Sequence, residues 1–171
     1  MKKLTLIVGV LALVVTSCGD TQKEKPATAP ESMVKKEAEA AKPDVPAEEV
    51  TVTIKANDQM KYDLTEIKVP VNSKVTLTLV NEGKMPKEAM GHNFVLLKKG
   101  TDVADFAMRA IEAGIAKEHI PSGTETIAYT KLTGGGESVT ITFDAPAKGS
   151  YDFICSFPGH WGMMKGKLVV G

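Results

Sequence analysis

From Glu49 to the C-terminus, apolar and polar residues alternate in short runs broken by Gly, Pro and Asn. Val50, Val52 and Ile54 share one face of the first run. Val75, Leu77 and Leu79 alternate with Thr76 and Thr78, and Val139, Ile141 and Phe143 with Thr140 and Thr142. Phe94 to Leu97 is a short unbroken apolar run, Tyr151, Phe153 and Cys155 share a parity, and Leu168 and Val170 close the chain. Such runs between turn residues predict an all-β, antiparallel sandwich. Residues 102–117 differ: Val103, Phe106, Ala110, Ile111, Gly114 and Ile115 recur at helical spacing. Thr101 or Asp102 is placed to cap this helical insertion, which Gly100 and Pro121-Ser122-Gly123 bound. Gly134-Gly135-Gly136 predicts a flexible turn before the Val139 strand, without the Lys-Ser/Thr and helix of a phosphate loop.

The first 48 residues have no such pattern. Lys2 and Lys3 precede an apolar run from Leu4 to Val15, too short to span a bilayer as a stable helix. The run ends in Val15-Thr16-Ser17-Cys18-Gly19, which resembles a bacterial lipobox. Residues 1–17 are then a lipoprotein signal peptide, and Cys18 is the lipidated first residue of the mature chain. The plainer alternative is a secretory signal with an incidental cysteine. Gly19 rather than Asp at the next position favours the outer over the inner membrane, with the protein on the periplasmic face. From residue 18 to 48 the chain is rich in Lys, Glu, Ala and Pro and poor in large apolar side chains, the composition of a disordered tether. Residues 49–171 form the folded domain.

Length and charge narrow the classes further. The chain has 171 residues, so a single globular domain is the default. Basic and acidic residues balance at 21 each with no basic stripe, which argues against nucleic acid as a partner. The two cysteines have separate explanations and are not read as a pair.

Candidate chemistry is concentrated in Cys155-Ser156-Phe157-Pro158-Gly159-His160-Trp161-Gly162-Met163-Met164. A thiolate, an imidazole and a thioether lie on one short loop, and Pro158-Gly159 reverses its direction. Met90-Gly91-His92-Asn93 offers a second imidazole. Two imidazoles, a thiolate and a weak axial Met make the blue-copper ligand set. Zinc is the nearest competitor, but Met is a poor ligand for a structural zinc. Taken singly, Cys155 reads as core packing and His92 as a surface histidine on a turn. A cysteine enzyme built on Cys155 and His160 lacks a third orienting group. A copper-delivery protein would use exposed Met- or His-rich sites, whereas the ligands here are few.

These two loops resemble those of the azurins, within the cupredoxin family. The likeness extends through Ala56-Asn57-Asp58-Gln59-Met60, Pro86-Lys87 and Tyr129-Thr130-Lys131-Leu132 and covers residues 49–171. The resemblance implies a Greek-key sandwich of about eight strands carrying one type 1 copper and acting in electron transfer rather than as an enzyme. It implies His92, Cys155 and His160 in a trigonal plane, with Met164 and the Gly91 carbonyl on the two axial sides. Asn93 would tie the ligand loops together, and backbone amides, including that of Phe157, would bond the Cys155 sulfur. An apolar docking patch of Met60, Met90, Phe157, Trp161 and Met163 would surround His160, the exit for electrons. Partners would be c-type cytochromes, oxidases or reductases, met by a monomer.

The chain also departs from that pattern. The azurin disulfide is missing, since the mature domain has only Cys155. Phe94 stands in place of a buried Trp, and Tyr129 in place of a surface His. Asn81 replaces a non-ligand His, which removes one source of pH-linked potential. His119 is expected at the surface and not as a ligand. Trp161, beside a ligand, would either widen the docking patch or shield the copper.

Overall fold

The computed structural model describes residues 48–171. The signal, lipidation and tether expectations for residues 1–47 lie outside the described residues. Nine strands are present among the described residues: β1 (Glu49–Asn57), β2 (Lys61–Tyr62), β3 (Glu66–Val69), β4 (Lys74–Asn81), β5 (Val95–Leu97), β6 (Thr126–Tyr129), β7 (Ser138–Asp144), β8 (Gly149–Ile154) and β9 (Lys165–Val170). They form two sheets, ordered β2-β1-β4-β7 and β3-β9-β8-β5-β6. Two helices, α1 (Lys87–Met90) and α2 (Val103–Ala113), lie in the connections on either side of β5.

The architecture is the all-β sandwich that the alternation predicts, but its pairing is mixed rather than antiparallel. β1 runs parallel to β4, with Val52 opposite Leu77, and β3 runs parallel to β9, with Ile67 opposite Leu168. A parallel neighbour requires a crossover. Between β1 and β4 the chain makes that crossover through β3, which belongs to the opposite sheet. Alternation marks which residues face inward and carries no information on strand direction.

Ile54, Val75, Leu77, Leu79, Phe94, Leu96, Phe153 and Leu168 fill the space between the sheets, all fully buried. On the outer face of the β4–β7 pair, Thr78 meets Thr140 through their hydroxyls at 2.8 Å, a favourable cross-strand pair. Burial of successive residues in β5 has a simple cause. Phe94 and Leu96 face the sandwich core, while Val95 and Leu97 join Ile154 and Phe106 in a second cluster under α2.

Asp102 caps α2, accepting from the amides of Ala104 (2.9 Å) and Asp105 (3.0 Å). Gly114, at φ 72°, ends it and donates to the carbonyls of Ala110 and Ile111. A single 3₁₀ turn (Ile115–Lys117) follows. The face turned inward is Phe106, Ala107 and Ala110. Ile111, expected on that face, is 44% exposed because it lies around the helix from Phe106, and Ile115, 41% exposed, falls beyond the helix end in the 3₁₀ turn.

The triglycine turn is pinned rather than flexible. Gly135 donates to the Met85 carbonyl at 2.9 Å and Gly136 to that of Asn81 at 2.8 Å. A Cβ on Gly135 would lie 2.7 Å from backbone atoms of Gly83. The turn therefore holds the Gly83–Lys87 segment that leads into α1 and the first ligand loop.

Candidate metal centre

Each ligand loop is fixed by backbone before any side chain is considered. His92 exchanges hydrogen bonds with Thr133, amide to carbonyl at 3.0 Å and 2.8 Å, and the Thr133 hydroxyl adds a third at 2.9 Å. Gly91 sits where only glycine fits: a Cβ there would lie 2.5 Å from the Lys87 carbonyl oxygen and 2.6 Å from the Leu132 side chain. Its position after α1 brings its own carbonyl to the start of the ligand loop. The second loop leaves β8 at Cys155, turns at Gly159 (φ 82°) and returns so that the Cys155 amide donates to the Met164 carbonyl at 2.9 Å. The Met164 amide bonds the His160 carbonyl at 2.8 Å, and the His160 amide that of Phe157 at 3.0 Å. Cys155, His160 and Met164 are thus held on one closed turn.

The two loops bring three ligands together. His92, Cys155 and His160 are all buried, and their ligand atoms lie within 4.8 Å of one another. Cys155 Sγ is 3.9 Å from His92 Nδ1 and 3.6 Å from His160 Nδ1. Metal bonds of about 2.0–2.1 Å to nitrogen and about 2.3 Å to sulfur, meeting at 120°, put those atoms about 3.8 Å apart. The spacing therefore fits a metal ion in a near-trigonal plane. Met164 is fully buried in the same cluster as Cys155. The donor set of two imidazoles, a thiolate and a thioether is one that selects copper.

The tautomer of His92 is set from the far side of the ring. Its Nε2 donates to the Asn57 carbonyl at 3.0 Å, at the end of β1. Nδ1 therefore carries the lone pair and faces Cys155. Asn93 holds the loops to each other: its Nδ2 donates to Ser156 Oγ and to the Glu118 carbonyl, each at 2.9 Å. The Ser156 amide returns a bond to Asn93 Oδ1 at 2.9 Å.

Electrostatics without metal keep every ligand neutral. Burial pushes the Cys155 thiol from 9.0 up to about 11, opposed by the backbone amides of Asn93 and Phe157, which donate toward the sulfur, and by the Tyr62 side chain. Burial pulls His160 from 6.5 down to about 4, and the nearby His92 and His119 rings add to this. His92 is also lowered, mainly by burial. A bound cation reverses the thiol's preference and holds it as thiolate.

Several expected neighbours lie elsewhere. His119 is not at the surface: it is buried, its Nδ1 is 3.0 Å from the Ala110 carbonyl, and its ring meets Phe157 edge-on at 5.3 Å. Its placement follows from Glu118 and His119 both adopting positive φ, which turns the chain inward after the 3₁₀ turn. It stays outside the ligand triad. Asn81 is buried, donating to the Thr133 carbonyl at 3.1 Å and accepting from the Gly83 amide at 2.9 Å, with no titratable group.

In the proposed docking patch, Met163 is 58% exposed, whereas Met60, Met90 and Phe157 are half-buried. Trp161 is half-buried. It packs on the cluster of Val95, Leu97, Phe106 and Ile154 with Val103 and Ile120, and so fastens the ligand loop to α2. Tyr62, which the alternation does not single out, lies in the main core and donates its hydroxyl proton to the Asn93 carbonyl. Burial, and then the Cys155 charge, raise the Tyr62 phenol well above 10.0.

A two-sheet sandwich whose end carries a buried His₂Cys triad beside a methionine defines the blue copper class. A model of copper binding proteins of the plastocyanin/azurin family matches residues 48–171, and the chain belongs to that family. It is 46% identical over 124 residues to azurin-2 of Alcaligenes xylosoxydans xylosoxydans, covering 70% of this chain and 95% of that one. It is 45% identical over 135 residues to azurin of Achromobacter denitrificans, covering 75% and 89%. Among solved structures it is similar to auracyanin A, a "blue" copper protein from Chloroflexus aurantiacus. That match has a TM-score of 0.67 at 36% identity and covers 72% of this chain and 99% of the other.

Proposed function

We propose that the protein is a one-electron carrier at the periplasmic face of a bacterial membrane, tethered by lipid on Cys18. It passes electrons between redox proteins such as c-type cytochromes, oxidases or reductases, and is not an enzyme. The observation that carries this reading is the buried triad, with both imidazole Nδ1 atoms 3.6–3.9 Å from Cys155 Sγ.

When bound there, copper supplies a one-electron couple between Cu(II) and Cu(I). The chain's own residues do the rest. Hydrogen bonds through Asn57, Thr133 and Asn93 fix the ligands in place before and after transfer, which keeps rearrangement small. Burial excludes water from the thiolate. His160, 3% exposed, gives electrons a path to the end of the sandwich.

The burial that suits electron transfer argues against the other two classes. A fully buried thiol raised to about 11 is no activated nucleophile. Ligands enclosed and anchored on both loops are poorly arranged to hand copper to another protein.

An optical and EPR spectrum of the copper-loaded protein tests the reading. An intense blue colour that bleaches and returns with reductant and oxidant supports it. A colourless protein that holds only Cu(I) would sink it in favour of delivery. Loss of the protein from the membrane fraction in Cys18→Ser is the expected result for the tether.

A further inference from the structure

Beside the metal centre, where β2 meets the start of β9, is a groove of about 320 Å³ lined by Lys61, Tyr62, Thr65, Met163 and Lys165. Its floor is drawn tight where the residue before β3 runs beside the start of β9. Lys167 donates to the Thr65 carbonyl at 2.9 Å, and Gly166 passes so near that a Cβ would lie 2.5 Å from the same oxygen.

The lining has a clear sign. Two lysines stand at the rim, both exposed, and among the described residues no carboxylate lines the groove. The ion pairs among the described residues engage Lys55, Lys68, Arg109 and Lys167, and neither Lys61 nor Lys165. Two unpaired ammonium groups over a partly apolar floor suit a carboxylate-bearing surface.

The groove also reaches the copper shell. Tyr62 forms part of its lining, and its hydroxyl bonds the carbonyl of Asn93, next to the ligand His92. Met163, at the other wall, directly precedes Met164. A group seated here is separated from the ligand set by one buried side chain.

We propose that this groove is a docking site for an acidic redox partner, a basic flank that adjoins the apolar surface around His160 and shares Met163 with it. Lys61 and Lys165 receive the partner's carboxylates, and Tyr62 is the contact between the docked face and the first ligand loop. The proposal rests on the electron-carrier reading. In the exchange the partner and the copper centre trade one electron, with no bond made or broken and no proton moved.

Two measurements on the full copper-loaded chain test it. The first is NMR of the reduced, diamagnetic protein titrated with the paramagnetic anion hexacyanochromate(III). The amides of Lys61, Tyr62, Thr65, Met163 and Lys165 should broaden while those of Lys74 and Lys148 stay sharp. The second follows oxidation of the reduced protein by hexacyanoferrate(III), which takes one electron and becomes hexacyanoferrate(II).

In the double variant Lys61→Glu/Lys165→Glu that rate should fall about tenfold at low salt, and the difference should vanish at high salt. Oxidation by the cationic tris(phenanthroline)cobalt(III) should not slow. Broadening spread evenly over all lysines, or an unchanged hexacyanoferrate rate in the variant, overturns the proposal. Those failures leave the blue spectrum and reversible reduction intact, so they are distinct from failure of the electron-carrier reading.

Discussion

Asn93 and Ser156 are joined by two hydrogen bonds of 2.9 Å, from the Asn93 amide nitrogen to the Ser156 hydroxyl and from the Ser156 backbone amide to the Asn93 oxygen, with a longer hydroxyl-to-oxygen contact at 3.3 Å. They follow the ligands His92 and Cys155, so the pair locks the two ligand loops at a fixed separation. In Asn93→Ala, the Ser156 amide, the Ser156 hydroxyl and the Glu118 carbonyl each lose a partner. At about 1 kcal/mol per bond, the loss should be on the order of 3 kcal/mol in denaturant unfolding. Copper should also leave faster, as followed by decay of the blue absorption in the presence of a chelator.

Gly91→Ala should be more damaging to the site than its size suggests. The new methyl meets the Lys87 carbonyl at 2.5 Å and Leu132 at 2.6 Å, and a backbone atom cannot rotate away. The ligand loop must shift as a unit and take the Gly91 carbonyl and His92 with it. Overpacking of this kind costs about 1–3 kcal/mol. The change should be visible in the copper hyperfine pattern of the EPR spectrum as well as in the unfolding midpoint.

Trp161→Ala should act on stability more than on spectrum. The ring packs on the α2 cluster and touches no ligand atom through a hydrogen bond. For a half-buried ring, roughly 2 kcal/mol is expected, below the range of a fully buried aromatic. Thermal unfolding checks the loss, and a blue band unchanged in position confirms that the site survives. A shifted band with normal stability would place Trp161 at the copper instead.

Metal-free protein should have a stability optimum with two flanks. Buried His160 titrates at about 4 instead of 6.5, so between those values the unfolded chain binds the extra proton. Stability conferred by the neutral ring is complete above 6.5 and is lost as pH falls toward 4. Cys155 is the reverse: its folded value is about 11 against 9.0. Stability conferred by the thiol is complete below 9.0 and is lost as pH rises toward 11.

The plateau should therefore span about pH 6.5 to 9. At about 1.4 kcal/mol per pH unit, the acid flank is on the order of 3 kcal/mol. Urea unfolding at a series of pH values measures it. Copper uptake near neutral pH should expel about one proton per metal, from Cys155, as read by calorimetry in buffers of different ionisation heat.

The metal ligands were legible because the sequence carries them in two short loops, where spacing alone constrains geometry. The inward faces of β1, β4, β7 and β8 were equally clear, since alternation reports burial directly. What escaped depends on contacts distant in sequence. Parallel pairing of β1 with β4 leaves no local trace. β2 is two residues long and has no period to detect, yet it carries Tyr62 to the ligand loop. His119 follows the helix, where the sequence predicts a surface residue, and only the positive φ of Glu118 and His119 turns it inward. The packing of Trp161 on the α2 cluster depends on Phe106, which is distant in sequence, and so leaves no local trace either.

The bond from His92 to Asn57 has a consequence for orientation. Asn57 is the last residue of β1 and Glu49 its first. At about 3.3 Å per residue, the strand separates its two ends by roughly 26 Å. The chain thus enters the domain at the pole opposite the copper. The end of the domain that carries the ligand triad is therefore left clear of the chain's own point of entry.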